Sequence, residues 1–333
     1  MERLDRKIIL ARAQEHLENS RPDFRKVAMV FVAVLAGISL LQQVLNLLLP
    51  LLFPVKEGLA GLGAQSIMQT VTTVIGLVCT VLAVLWQPGI IYSSIRAVRG
   101  QSVEKEDLTR GFYRIGPVIR LLLLRVLIMM LVIMACIYAV SFVMALFIPV
   151  TESTMEAMLT IMEGGTVTLS MVQSLLTMLL PTVIVMFIAI LVVNVHMNYR
   201  FVLADYFIID DPKRGAMQAL VLSNSLTKGE KKELFKLDLS MWRYYALMII
   251  CSLVAELPFL LELCGVVLPF SEGLAYLISY VLYGLCTVGA AYLLGAKYYL
   301  AYASCYEHFL RKAEELSRAA MERFGNQLPP EMQ

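Results

Sequence analysis

The chain has 333 residues, 59% of them hydrophobic and 16% charged, with a mean hydropathy of +0.73. Those values fall outside the range of soluble globular domains and point to lipid as the solvent. A net charge of +2 excludes an electrostatic nucleic-acid surface, so the basic residues are read as topology signals.

Charges are absent from residues 27–55, 58–95, 126–151 and 273–296, and from 164–199 apart from His196. Each window exceeds the roughly 20 apolar residues that carry a helix across about 30 Å of hydrocarbon. Ahead of the first window, Leu4, Ile8 and Leu17 recur among Arg, Lys, Glu and Gln at near-helical spacing. This predicts an amphipathic helix within residues 1–26, lying on the membrane surface and ended by Asn19-Ser20-Arg21-Pro22. Its mixed charge, with Asp5, Glu15, Glu18 and Asp23, is unlike a secretory leader, so insertion through an uncleaved first span is expected.

Spans one to four are predicted over residues 27–49, 67–91, 121–147 and 175–195. In the loop that follows, Asp211-Pro212 predicts an N-cap and first helical residue, and Lys228-Gly229 the end of that helix. Ala216, Leu220, Val221 and Leu226 give it a face for the membrane or the bundle. Asp210-Asp211 is also a conceivable metal pair, but capping is the preferred use.

Span five, residues 244–266, is interrupted by Glu256 and Glu262, yet Trp242, Tyr244 and Tyr245 resemble an interfacial aromatic belt at its start. Span six covers 274–294, and a charged helix over about 304–324 opens the tail, residues 304–333. Charge counting supports six spans. Successive segments outside the spans hold 7, 1, 6, 0, 8, 0 and 5 Lys and Arg residues, with Arg125 inside span three. The alternation is unbroken, and the positive-inside rule makes the basic side cytoplasmic. The two outer loops after spans three and five carry Glu152, Glu156, Glu163 and Glu272 and no cation. The expected architecture is an all-α polytopic membrane helix bundle over residues 1–333, one membrane domain with amphipathic cytoplasmic helices and both termini cytoplasmic.

No phosphate-binding loop, zinc-protease, nucleophile-elbow or dinucleotide motif occurs, so no catalytic residue, cofactor or metal is assigned. Cys79, Cys136, Cys251, Cys264, Cys286 and Cys305 show no paired spacing and are read as packing residues. What remains are polar residues at membrane depth. Glu256 either sits past the membrane middle, protonated or paired beside the irregularity expected at Pro258, or lies in the outer headgroups. Asn194, His196, Asn198 and Arg200 fall on two neighbouring stripes of span four, as a gate, a headgroup site or interfacial hydrogen bonding. Gln42, Gln43 and Asn46 in span one are similar. Small residues at Ala33-x-x-x-Gly37, Ala135-x-x-x-Ala139 and Gly284 to Gly295 allow close helix approach.

Gln87-Pro88-Gly89 through Arg99-Gly100, then Glu106-Asp107-Leu108 and Gly111-Phe112, resembles a bacterial membrane protein family catalogued as domain of unknown function 975. Ser223-Asn224-Ser225-Leu226-Thr227-Lys228-Gly229, then Leu234-Phe235-Lys236-Leu237-Asp238-Leu239-Ser240 and Trp242, looks like its serine-leucine-lysine-glycine turn and Leu-Asp-Leu-Ser segment. Tyr299, Ala303 and Tyr306-Glu307 are similar to its closing motif. The chain departs from that pattern over Glu256 to Gly265, where the family has a glycine-rich stretch and a Pro-Tyr pair. The resemblance implies a multi-span protein of the bacterial cytoplasmic membrane, distantly like the membrane domain preceding some glycerophosphodiester phosphodiesterases. It supplies no activity.

The expected function is therefore a non-enzymatic membrane component that binds membrane lipids or a partner protein, membrane-bound or cytoplasmic. The rival is a secondary transporter or transporter subunit with Glu256 and polar groups of spans one and four at a midplane site. Pro181 and Pro258 would mark its helix breaks, but no convincing internal repeat accompanies them.

Overall fold

The computed structural model describes residues 4–52, 59–147, 155–156, 159–160, 168–266 and 271–325. The outer loop bearing Glu152 and Glu163, and the tail beyond residue 325, lie outside the described residues. Every regular element among the described residues is helical. In order these are α1 (Arg6–Asn19), α2 (Phe24–Leu52), α3 (Leu59–Val98), a 3-10 turn (Lys105–Thr109), α4 (Arg110–Tyr113), α5 (Ile115–Phe147) and α6 (Leu169–Phe201). Then come α7 (Ala204–Asp210), α8 (Ala216–Thr227), α9 (Lys231–Ser240), α10 (Trp242–Ala255), α11 (Leu257–Leu263), α12 (Glu272–Ala290), a π turn (Ala291–Gly295) and α13 (Ala296–Gly325).

Five helical stretches are long and apolar enough to cross a membrane: Phe24–Leu49, Ser66–Val98, Ile115–Leu146, Leu179–Asp210 and Gly273–Glu315. The pair α9 and α10, bent by 62°, makes a sixth if it counts as one span. The chain is thus an all-α, multi-pass membrane protein.

Two compact units are present, Met1–Ile119 with Leu203–Gln333, and Arg120–Val202. In the first, α2 packs on α3 and α12, α10 on α12, and α13 on α1 and α3. The second holds most of α5 and all of α6, whose apolar side chains, such as Leu123, Met130, Phe142, Phe187 and Leu191, are exposed as lipid-facing helices require.

Local chemistry explains the main boundaries. The Ser20 hydroxyl accepts from the Phe24 N–H at 3.0 Å and Asp23 Oδ1 accepts from the Arg25 N–H at 3.0 Å, so two donors at the start of α2 are satisfied. Helix α1 buries Ile9, Ala13 and Leu17 and packs on α13, with Leu4 buried just ahead of it, whereas Ile8 stays exposed. The expected Leu4, Ile8, Leu17 face is corrected to this stripe because residues four apart stack on one helical face, and here that face meets protein.

Within α3 the Pro88-Gly89 step receives the next segment. A Cβ on Gly89 would overlap the Leu108 backbone, and one on Gly111 would overlap the Leu85 carbonyl. Two glycines thereby let the 3-10 turn and α4 lie directly on the backbone of α3. Trp86 adds an indole N–H donated to the Phe31 carbonyl at 3.1 Å and a ring stacked on Phe31.

Three expectations change. Residues 244–266 do not form one helix: α10 stops at Ala255, Glu256 occupies the junction, and α11 runs only to Leu263. Pro258 has no N–H to donate to the preceding turn, and its ring crowds the carbonyl four residues back. Pro181, by contrast, lies inside α6, which continues past it. The helix expected directly after Asp211-Pro212 starts instead at Ala216, capped where the Gly215 N–H donates to Gln218 Oε1 at 3.3 Å. Asp211 closes α7, and its Oδ1 accepts from the Lys213 N–H at 3.0 Å. The expected stop does hold: α8 ends at Thr227, and Gly229 has a φ of +89°.

Candidate functional site

The ends of α3 and α7 and the interior of α13 converge on Arg99. Its two terminal nitrogens donate to the two Asp210 carboxylate oxygens at 2.6 and 2.7 Å, and its Nε donates to Glu307 at 2.7 Å. The Tyr306 hydroxyl completes the group by donating to Asp210 Oδ2 at 2.7 Å. The Tyr306 ring is buried, stacked on Tyr206 and edge-on to Phe207. Only a guanidinium presents donors in a planar fork that fits one carboxylate bidentately while a third N–H reaches another. The Asp210 hydrogen bonds, opposed by burial, raise the Arg99 pKa further above its ordinary value. Asp210 is the last residue of α7, and the last carbonyls of such a helix lack internal partners. Arg114 donates to two of them, Ile208 at 2.6 Å and Ile209 at 3.3 Å.

Three more pairs surround this group. Arg96 Nη1 contacts both Asp107 oxygens at 2.8 and 3.0 Å, and Asp107 Oδ2 also accepts the Glu104 N–H at 2.8 Å, which clamps the 3-10 turn to α3. Asp238 on α9 accepts from Tyr245 at 2.9 Å and Tyr302 at 2.6 Å. Lys312 on α13 meets Glu230 at 3.1 Å. Around Asp238 the rings of Tyr244, Tyr245, Tyr298 and Tyr302 pack against each other at centroid distances of 5.0 to 5.9 Å. The ends of α3 and α7, helix α9 and the start of α10 are thus tied to the middle of α13 or to each other by charge-assisted hydrogen bonds, which are shorter and stronger than neutral ones.

The residues singled out from sequence fall elsewhere. Asn198 Nδ2 donates to Asn194 Oδ1 at 3.0 Å, and Arg125 Nη2 donates to Asn198 Oδ1 at 2.7 Å, so the second unit unites these three on exposed faces of α5 and α6. His196 is exposed on the same helix. Glu256 belongs to the first unit and is exposed at the junction of α10 and α11. In α2, the Asn46 Oδ1 is buried and has no hydrogen-bond partner among the described residues. Asp210, weighed in sequence as a metal ligand or cap, instead holds Arg99.

Arg99, Asp238, Tyr306 and Glu307 were visible only as motif letters, and their pairing is a product of the fold. Arg99 and Asp238 fall within the stretch that a family comparison reads. The model of the family described as "Protein of unknown function (DUF975)" matches residues 9–299. The chain belongs to this family. No curated protein and no solved structure matches it. The DUF975 match spans the 3-10 clamp, Arg99 and Asp210, and Asp238 with Tyr245, whereas their α13 partners Tyr302, Tyr306, Glu307 and Lys312 lie beyond its last matched residue.

Proposed function

We propose that this DUF975 protein is a non-enzymatic component of the bacterial cytoplasmic membrane, with six spans and both termini cytoplasmic, whose ion-paired end binds lipid or a partner protein. Lipid is the better supported of the two. The observation that carries this reading is the bend of 62° between α9 and α10. If α10 crosses the bilayer, α9 turns towards its plane, with Phe235 and Leu239 exposed four residues apart on one face of α9 and Trp242 exposed at the start of α10. Lys232 and Lys236 are exposed on α9 beside that face, and Lys228 is exposed just before the helix. An apolar stripe edged by lysines is the pattern of a helix seated in anionic headgroups. The opposite face of α9 buries Leu234 and Leu237 in the protein, so the helix is held rigidly while it presents that stripe.

The test uses Trp242 as its own reporter. Two tryptophans are present, so Trp86→Phe leaves Trp242 alone. In proteoliposomes containing acyl-chain-brominated lipid, Trp242 fluorescence is expected to be quenched, and more strongly when the bilayer contains phosphatidylglycerol. Full emission in every lipid would remove the lipid reading and leave a partner protein as the occupant of this face.

A transporter is the second reading, favoured by the helix break at Glu256, since discontinuous helices accompany intramembrane ion sites. Carbodiimide labelling of Glu256 in lipid, with Glu256→Gln as control, separates the two. Labelling protected by a cation supports transport, and free labelling from the aqueous side removes it.

A further inference from the structure

We infer that the cavity between the end of α1 and the end of α3 is a binding site for a phosphate ester. It uses helices other than α9 and stands independently of the lipid-seated face described above. The cavity has a volume of about 250 Å³ and is an open cleft between two chain links. One link joins α1 to α2, and the other joins α3 to the 3-10 turn. They are fastened to each other where the Val103 N–H donates to the Arg21 carbonyl at 3.4 Å. Each is also fixed internally. The Ser20 hydroxyl donates to the Leu17 carbonyl at 3.2 Å while accepting from Phe24, and the Gln101 N–H donates to the Arg96 carbonyl at 2.9 Å past Gly100, whose φ is +71°. Loops held in this way keep their polar groups in place before any ligand arrives.

The lining chemistry is one-sided. His16, Asn19, Arg21, Gln101 and Ser102 all offer N–H or O–H donors, and none of the described lining residues is acidic. Glu15, whose charge acts on His16, is exposed and outside the lining. A cation-bearing, acid-free set of donors converging on one space matches an oxyanion, and Arg21 adds the fork that phosphate oxygens accept. The volume equals that of about eight waters, the bulk of a phosphorylated glycerol more than of bare phosphate. Position supplies the source. Arg21 lies in the link before α2, three residues ahead of Phe24 and six ahead of the charge-free run that begins at 27, which puts it on the headgroup side of that run. A lipid phosphate or a soluble phosphate ester shares this chemistry.

Full-length protein in phosphate-free maltoside micelles is titrated calorimetrically with dihexanoyl phosphatidic acid, glycerol 3-phosphate and dihexanoylglycerol. Saturable one-to-one binding of the phosphorylated compounds, with none by dihexanoylglycerol, is expected. Tighter binding of phosphatidic acid assigns the site to a lipid headgroup, and equal binding assigns it to a soluble ester. Arg21→Gln is expected to weaken binding about tenfold, and Ser102→Asp, which puts a carboxylate into the space, to abolish it. Both side chains are exposed, so the unfolding temperature should stay at the wild-type value. Phe235→Ser/Leu239→Ser should leave this binding intact, which separates failure here from failure of the α9 reading. The inference is overturned if neither phosphorylated compound saturates, or if both pocket variants bind as wild type does.

Discussion

Arg99 holds two carboxylates with one guanidinium while a third of its side-chain surface remains exposed, so its ion pairs are only partly screened. Substituting Asp210→Asn removes the charge from one side of the fork but leaves an acceptor for Tyr306. A loss of about 2 kcal/mol in unfolding free energy is expected, below the range for fully buried pairs because water reaches the guanidinium. Arg99→Lys is expected to lose as much, since an ammonium cannot span both oxygens and Glu307 together. Thermal unfolding in detergent measures both. His16 gives a pH dependence of definite sign. Burial, assisted by Arg12 and opposed by Glu15, lowers its pKa below 6.5. The unfolded chain therefore binds the proton first, and folded stability, constant above about pH 6.5, falls as pH drops below it. His16→Gln should remove that part of the acid sensitivity, measured as the difference in unfolding temperature between pH 7.5 and pH 5.5. Asp210 shows how far sequence reading reaches at this scale. Its position at a helix end is legible, and capping is the use that local sequence favours over metal binding, but no local pattern points to an ion pair. Its partner Arg99 lies 111 residues away, and only the fold brings the two within 2.6 Å.

Among the elements, glycine contacts make the sharpest test. Gly89 and Gly111 lie where a methyl group would enter the neighbouring backbone, whereas Gly37 has open space within 4 Å. Gly89→Ala and Gly111→Ala are each expected to destabilise by about 3 kcal/mol or prevent folding, because backbone yields far less than side chain. Gly37→Ala should be neutral or stabilising by up to about 1 kcal/mol, since alanine is the better helix former. Denaturation of the three variants side by side in one detergent decides this. The sequence reading had grouped Gly37 with the close-approach positions. Small-residue spacing permits close approach on any face of a helix, and only the neighbour determines which glycine is used, as where Gly284 meets the Ala36 Cβ. The amphipathic helices follow the same logic. Leu220 and Leu226 of α8 are buried in the protein while Val221 is exposed, so the face expected for membrane or bundle is divided between protein and surroundings.

For the molecule as a whole, the number of crossings rests on α9 to α11. Five spans satisfy length and composition, and the sixth requires the bent or broken helices near Trp242 and Glu256 to cross. With six spans, single cysteines at Lys105 and Lys232, in a background lacking the native cysteines, are both labelled by an impermeant maleimide only from the cytoplasmic side, and one at Arg311 behaves alike. A cysteine at Arg311 labelled from the opposite side would leave five. The sequence by itself pointed to lipid as the solvent and determined the all-α class and the first four helices long and apolar enough to cross a membrane, because a run of more than 20 uncharged apolar residues has few low-energy states other than a helix in lipid. It also located the motif-bearing segments and the stop at Gly229, because a left-handed residue after a helix favours glycine locally. Tertiary structure alone decided that Arg99, Asp210, Tyr306 and Glu307 form one group, that α1 lies on α13, and that a donor-lined cavity opens between α1 and α3. These depend on contacts between residues tens to hundreds apart, and no local pattern records a partner that the chain meets only after its helices have packed.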